Sequence, residues 1–473
     1  MAGSSREVEL EAENVGLRAE NRELRERIEE LERRLGQNSS NSSKPPSTDP
    51  PMTRQQRRAL ARERAKKSLR RPGGQPGHKG KHRQMAPPEK VDETFECLPD
   101  ACSGCGLVFT GGERQDGEPV VHQKWELPPI APLIFEYRLH RVRCPGCAKK
   151  TLAGLPAGVS ASAFGPRLEA HIAMLAGVYR LSRRQVVQVV EEILGCPIST
   201  GAVDTAIMRM SRVLADPWQA LAEAIRQADV VHADETSWRL AGAQQWLWLG
   251  ASAFAACYRI DPHRSQAAAK KLLGADFGGI LVSDRYAGYH FLDVLQQQLC
   301  WCHAIRQLVE ISERQGAPGK LGKKLVKAAR EVIAVHRRYL QDQHTLPWLA
   351  HELSPLRNRI QALLEKGERS RHQKTANFCA GLLEEYEALW TFCEIPNISP
   401  TNNTAERALR HAVIMRKIQG GTQSENGNHW IERILSINET CRLQSRAVLD
   451  YLNTAATAAH HGQPAPSLLP RAP

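Results

Sequence analysis

Residues 228–238, ADVVHADETSW, decide the reading of this chain. The β-branched run is a strand signal, and Asp234 follows it at or near the strand's exposed end. Residues 278–289, GGILVSDRYAGY, repeat the arrangement with Asp284 after a short apolar strand. A third acid, Glu406 in TNNTAERALR (residues 401–410), opens an amphipathic helix. Carboxylate oxygens are the ligands that Mg²⁺ and Mn²⁺ prefer, and three acids from two strands and a helix suffice to hold two such ions around a phosphodiester. Each acid also has a local reading. Asp234 and Asp284 can cap whatever follows their strands, and Glu406 can reach back to Asn403 as the glutamate of a capping box.

Working outward, the expected strands are VVHADE, QQWLWLGAS, AACYRID, GILVSD and QLCWCHA, with helices near SQAAAKKLLG and AIRQLVEIS. Three strands, a helix, a strand, a helix and a strand is the order of a mixed RNase H-like sheet. From about residue 305 to Pro400 the pattern is helical, which reads as an all-α insertion placed before the last acid. Cys300 and His303 form a CxxH pair at the end of the fifth expected strand. Three readings stay open for it: part of a metal site, a His303 that positions DNA, or a core cysteine beside a surface histidine. After Glu406 come Arg407, Arg410, His411, Arg416 and Lys417, a cationic helix suited to DNA backbone. Residues 430–453 read as a closing helix pair, and the proline-rich tail from Gly462 as frayed.

At 473 residues with 41% apolar side chains, the chain has room for two to four domains. Its 64 Lys and Arg against 51 Asp and Glu leave a net charge of +13, which favours a polyanionic partner. The sequence shows no apolar stretch of about 18 residues and no opening signal peptide, so a soluble, cytoplasmic protein without membrane contact is expected. Four of the twelve cysteines form two CxxC pairs, Cys102 with Cys105 and Cys144 with Cys147. With the strand-like stretches VVHQKWEL and LIFEYRLHRVR between them, they read as a zinc ribbon whose four thiolates hold a structural Zn²⁺. Cys97 stands close enough to replace one ligand, and reduced core cysteines are the other reading.

Leu10, Leu17, Leu24 and Leu31 recur every seven residues, with Asn14, Asn21, Ile28 and Leu35 at the alternate seam position. Glu13 with Arg18, Glu20 with Arg25 and Arg27 with Glu32 would pair across two parallel helices, so a zipper homodimer is expected, a solvated single helix being the alternative. Residues 36–53 are a Ser, Asn and Pro-rich linker. Arg54, Arg57, Arg58, Arg62, Arg64, Lys66, Lys67, Arg70 and Arg71 then form a run suited to sequence-independent DNA binding, or merely to solubility. Residues 180–213 read as a helix-turn-helix, the first helix near Ser182–Leu194, Gly195 as its stop, and Ser199 or Thr200 capping the second. Thr200, Thr205 and Arg209 would then face a major groove, with Asp204 on the same side; two ordinary packed helices are the competing reading.

HADETSWRL (232–240), VSDRYAGY (282–289), CWCHAIRQL (300–308) and NNTAERALRHAVIMRKIQGGT (402–422) resemble blocks of the insertion sequence 66 family of bacterial DDE transposases. The likeness runs from the zipper to the last helix and departs modestly around His303. It implies that Asp234, Asp284 and Glu406 are a catalytic triad using Mg²⁺ or Mn²⁺, that element ends and target DNA are bound, and that accessory proteins of the same element assist near the nucleoid. The expected fold is multidomain α/β: a coiled coil at 1–35, a flexible basic linker at 36–90, a zinc ribbon at 91–160 and a helix-turn-helix at 161–215. An RNase H-like core at 216–420 with its helical insertion at about 305–400, and a helical C-terminal segment at 421–473, complete it. A non-catalytic DNA-binding regulator and a nuclease that cuts without joining remain as alternatives.

Overall fold

The computed structural model describes Gln55, Arg58, Ala59, residues 83–111 and residues 117–469. The expected zipper and all of the basic run except Arg58, which is exposed, lie outside the described residues. The described chain falls into two compact units, residues up to Ile130 and residues from Ala131 on.

In the smaller unit, Cys102 and Cys105 sit on a tight turn, where Gly106 N–H donates to Cys102 O and Cys102 N–H to Leu107 O. The side chain of Gln123 clips Ala86 by accepting from its N–H at 2.7 Å and donating to its carbonyl at 3.0 Å. The larger unit opens with a hairpin, β1 (Arg141–Arg143) antiparallel to β2 (Lys150–Leu152), which closes the second turn, Cys144–Cys147. The strand-rich insert expected between the turns is therefore confined to β1. VVHQKWEL and the first eight residues of LIFEYRLHRVR form no ladder among the described residues, and Val120, Leu127, Leu133 and Ile134 stay exposed. A β-branched pattern asks for a pleated surface to pack on, and a segment without a ladder supplies none.

Thirteen α-helices and a five-stranded sheet make up the rest of the described residues, a mixed α/β architecture. α1 (Pro166–Ala173) leads into α2 (Arg183–Glu192), which starts at a capping box between Ser182 and Gln185. Gly195 takes the left-handed conformation at φ 64°, and Ser199 caps α3 (Thr200–Val213) by accepting from Ala202 N–H at 3.1 Å. α4 (Ala215–Arg226) delivers the chain to the sheet.

The strands are β3 (Val230–Leu240), β4 (Ala243–Ala251), β5 (Ala256–Asp261), β6 (Ile280–Ser283) and β7 (Gln297–Leu299), with α5 (Gln266–Leu273) between β5 and β6. Their spatial order is β5-β4-β3-β6-β7. β3, β4 and β5 form an antiparallel meander, while β6 and β7 run parallel to β3. Two expectations change here. β3 continues six residues past Asp234, because His232–Leu240 pair with β4 after the β6 pairing stops at His232. QLCWCHA does not remain a strand: β7 ends at Leu299, Cys300 caps the next helix, and α6 (Trp301–Ser312) begins at once. Trp301 and Leu308, seven positions apart, are both buried on the inner face of α6, a helical spacing that the short aromatic run concealed.

The region before Pro400 is all helical: α6, α7 (Gly316–Gln341), α8 (Leu346–Glu368), α9 (Gln373–Glu384) and α10 (Thr391–Glu394). They share a core with Val282 and Leu299, built around Leu325, Leu353, Leu364 and Trp390. The second core joins α1 to α5, strands β3 to β6, and the three last helices, α11 (Asn403–Gln419), α12 (Glu425–Leu443) and α13 (Val448–His460). Gly177 lets α12 approach closely, since a Cβ there would lie 2.3 Å from Ile434 Cγ1. The tail is packed rather than frayed: Pro466 O accepts from Tyr451 Oη, Leu468 O accepts from Gln444 Nε2, and Leu468 is buried. No helix among the described residues is long and apolar enough to cross a membrane.

Candidate functional site

Both ends of α11 are fixed to β3, and this fixes Glu406. At the start, buried Asn402 donates from Nδ2 to Ala233 O at 2.7 Å, and its Oδ1 lies 3.1 Å from His232 Nδ1. With Oδ1 as the acceptor, His232 carries its proton on Nδ1; burial holds its pKa below the usual imidazole value, so the ring is neutral. The Asn402 carbonyl accepts from Glu406 N–H at 3.1 Å. At the other end, Gly420 and Gly421 both have positive φ, and a Cβ on Gly421 would strike Arg239 O at 2.3 Å. Those glycines let Thr422 exchange backbone bonds with the β3–β4 turn: Thr422 N–H donates to Arg239 O, and Ala241 N–H donates to Thr422 O. Trp238 Nε1 donates to Thr422 Oγ1 at 3.2 Å, and Arg416 reaches Ser237 and Thr236. The segments HADETSWRL and NNTAERALRHAVIMRKIQGGT are thus one strand and the helix clamped along it.

Strand alternation places Asp234 and Glu235 on opposite faces. Glu235, with a side chain 1% exposed, pairs with Arg264 at 2.5 Å and accepts from Tyr289 Oη at 3.1 Å. Asp234 has no cationic partner among the described residues; its Oδ1 accepts only from Glu235 N–H, at 2.8 Å. Burial, and then the charges of Glu235, Asp284 and Glu406, push its pKa well above the usual carboxylate range. Asp284 follows β6 directly and accepts from Tyr286 N–H at 3.1 Å, closing an Asx turn that holds its carboxylate at the strand end. Glu406 lies one turn into α11, with His303 Nδ1 3.7 Å from its Oε1. Its side chain makes no capping-box bond, because the helix begins one residue earlier than that motif requires, at Asn403 with Asn402 as cap. Asp284 and Glu406 thus add, with Glu235, to the negative field at the unpaired Asp234, and carboxylates so grouped are able to take divalent cations through oxygen ligands.

Beside them, His303 falls in the first turn of α6 and Cys300 caps it. Cys300 Sγ accepts from Asn402 N–H at 3.2 Å. The hydrogen bond between Cys300 and Cys302 holds the Cys302 thiol down at about 7 and the Cys300 thiol up at about 12.

The expected DNA-facing residues divide. Thr200 and Thr205 are exposed on α3, and Asp204 on the same side is paired with Arg183 at 3.1 Å, which accounts for an acid there. Arg407, Arg410 and Lys417 are exposed on α11. Arg209 and Arg416 are turned inward: Arg209 meets the buried Glu169 and Ser162, and Arg416 ties α11 to β3. Exposure of those two to DNA gives way to a structural tie. In the cysteine turns, backbone N–H groups of Cys105 and Gly104 hold the Cys102 thiol below its ordinary pKa, and those of Cys147 and Gly146 do the same for Cys144. Sequence reasoning missed Asn402, Glu235 with Arg264, and a row of exposed cations on α7, Lys320, Lys323, Lys324, Lys327 and Arg330, none with an ion-pair partner among the described residues. Their i, i+3, i+4, i+7 spacing was the available signal for the row.

Residues 161–429, more than half of the chain, match the family model described as Transposase IS66 family. The chain belongs to the IS66 family of transposases. Residues 2–84 match a second model, described as a family of unknown function. Among curated proteins, the chain is similar to uncharacterized protein y4qI of Sinorhizobium fredii (strain NBRC 101917 / NGR234), 24% identical over 421 residues that span 80% of this chain and 74% of the relative. Uncharacterized protein y4hP of the same strain is 24% identical over 383 residues, 73% of this chain and 68% of the relative.

Proposed function

We propose that this transposase cuts and joins DNA through Asp234, Asp284 and Glu406, held on an RNase H-like core. The observation that carries the reading is that Asp234, with no cation paired to it among the described residues, has its pKa raised by burial and then by the charges of Glu235, Asp284 and Glu406. The sheet order β5-β4-β3-β6-β7, with β3 central and parallel to β6, supports the RNase H-like assignment.

The carboxylates fit a pair of Mg²⁺ or Mn²⁺ ions: hard oxygen donors, no cation pairing Asp234, and Asn402 fixing the helix that carries Glu406. Asp234 and Asp284 would hold one ion, Asp234 and Glu406 the other. When bound, such ions supply charge stabilisation for phosphodiester displacement and favour the deprotonated nucleophile, first a water and then a freed 3′-hydroxyl. The protein's own part is positional. The clamp on α11 sets Glu406 against β3, the Asx turn sets Asp284, and Arg264 holds Glu235 in an ion pair. Exposed Arg407, Arg410 and Lys417 would take phosphates beside the acids, and the α7 cations would extend that path. Thr200 and Thr205 would contact DNA from the second helix of a helix-turn-helix. The thiol-lowering turns at Cys102–Cys105 and Cys144–Cys147 support a structural Zn²⁺. A homodimer through residues 1–35, DNA contact by the basic run, and assistance by proteins of the same element complete the proposal.

The test is incubation of labelled element-end DNA with the full chain and Mg²⁺ or Mn²⁺, scoring cut and joined products separately. Metal-dependent cutting and joining supports the transposase mechanism. Cutting without joining favours the nuclease reading, and binding without products under either ion favours the regulator.

A further inference from the structure

Cys300 Sγ, a ring nitrogen of His303 and a Glu406 carboxylate oxygen all lie within 4.8 Å of one another, which no other three His, Cys, Asp or Glu side chains among the described residues achieve. His303 Nδ1 is buried and has no hydrogen-bond partner. Its 3.7 Å separation from Glu406 Oε1 is too long for a hydrogen bond. Two ligands of one tetrahedral ion, with bonds of about 2.0–2.3 Å, stand about 3.3–3.6 Å apart, so the gap is close to one that an ion bridges. An outer contact is also in place. The Asn402 N–H that points at Cys300 Sγ is the outer contact that steadies a metal-bound thiolate, and the same asparagine fixes the helix bearing Glu406.

The donor set differs in kind from the triad. Asp234 and Asp284 offer only oxygens, which suit hard ions, whereas a thiolate and an imidazole favour borderline or soft ones. Glu406 belongs to both groups. We propose that Cys300, His303 and Glu406 form a site for a borderline divalent ion of the Zn²⁺ class, and that filling it withdraws Glu406 from the triad and stops DNA cleavage. The inhibitory half rests on the proposed role of Glu406, while the binding half does not.

Co²⁺ is the probe, added to the full reduced chain without DNA, because thiolate-bound Co²⁺ gives a near-ultraviolet charge-transfer band. Parent, Cys300→Ser, His303→Ala and Cys144→Ser chains are compared, with thermal melting to confirm that each is folded. The expected result is one band component that both Cys300→Ser and His303→Ala remove and Cys144→Ser leaves. If the parent band is unchanged in Cys300→Ser and in His303→Ala, the site does not exist and all thiolate-bound metal belongs to the cysteine turns. His303→Ala keeps the test decisive should the buried Cys300 variant fail to fold. A second measurement titrates Zn²⁺ into the Mg²⁺-dependent cleavage reaction. The concentration needed for half inhibition should rise at least about tenfold in His303→Ala relative to that variant's own zinc-free rate. An unchanged concentration overturns the inhibitory half. A parent chain that never cleaves contradicts the triad instead and leaves the Co²⁺ result standing.

Discussion

The sheet around β3 and the extended chain between the two cysteine turns carry the same kind of sequence and end differently. VVHADETSWRL (230–240) carries Val230, Val231, Thr236 and Trp238, and LIFEYRLHRVR (133–143) carries Ile134, Phe135, Tyr137 and Val142, the same share of β-branched and aromatic residues in the same length. In β3, Trp238 is fully buried and its indole N–H is met by Thr422. In the extended chain, Leu133, Ile134 and Phe135 stand exposed at 85%, 88% and 73%. The difference lies in what arrives from far away in sequence. β3 receives β4, β6 and α11, whereas residues 133–140 receive no strand among the described residues. An alternating pattern states what a segment must bury, and only distant partners decide whether it does.

Substitutions should separate the two regions by size of effect. Trp238→Ala removes the largest buried side chain of the clamp and is expected to cost about 3–5 kcal/mol, read as a lowered denaturant midpoint. Arg264→Ala should cost about 2–3 kcal/mol by leaving Glu235 buried without its cation, and a double variant with Glu235→Gln should recover much of that. Asn402→Ala should cost about 2 kcal/mol, because Ala233 O and His232 lose their partner, and it should lower cleavage further by loosening Glu406. By contrast, Leu133→Ser and Ile134→Ser are expected within about 0.5 kcal/mol of the parent in the same denaturation experiment. A large loss at Leu133 would break the comparison by showing that this segment is covered in solution.

Much of the site was legible because it was local. Apolar runs ending in Asp234 and Asp284, and a helix start holding Glu406, are short-range signals, as were Ser199 as a cap and Gly195 as a stop. The rest depended on tertiary contacts. Nothing near Asn402 in sequence indicates that it reaches Ala233, and Glu235 reads as a neighbour of Asp234 until pleat alternation sends it to Arg264. CWCHA reads as strand because so short a run has no clear period, and the tail reads as frayed because proline content says nothing about Tyr451 and Gln444 waiting to bind it. Arg209 and Arg416 illustrate the same limit, since a cation's spacing does not reveal the buried Glu169 or the Ser237 carbonyl that takes it up.

The most direct measurement compares Asp234→Asn with the parent chain in metal-dependent cleavage of element-end DNA, alongside thermal melting without metal. Asparagine keeps the hydrogen bond from Glu235 N–H and removes the charge crowded by Asp284 and Glu406. Cleavage is expected to fall by about 10³-fold or more, together with a metal-free fold more stable by about 1 kcal/mol. Cleavage retained within about tenfold, or lost only with a collapse of the fold, would contradict a catalytic carboxylate at this position.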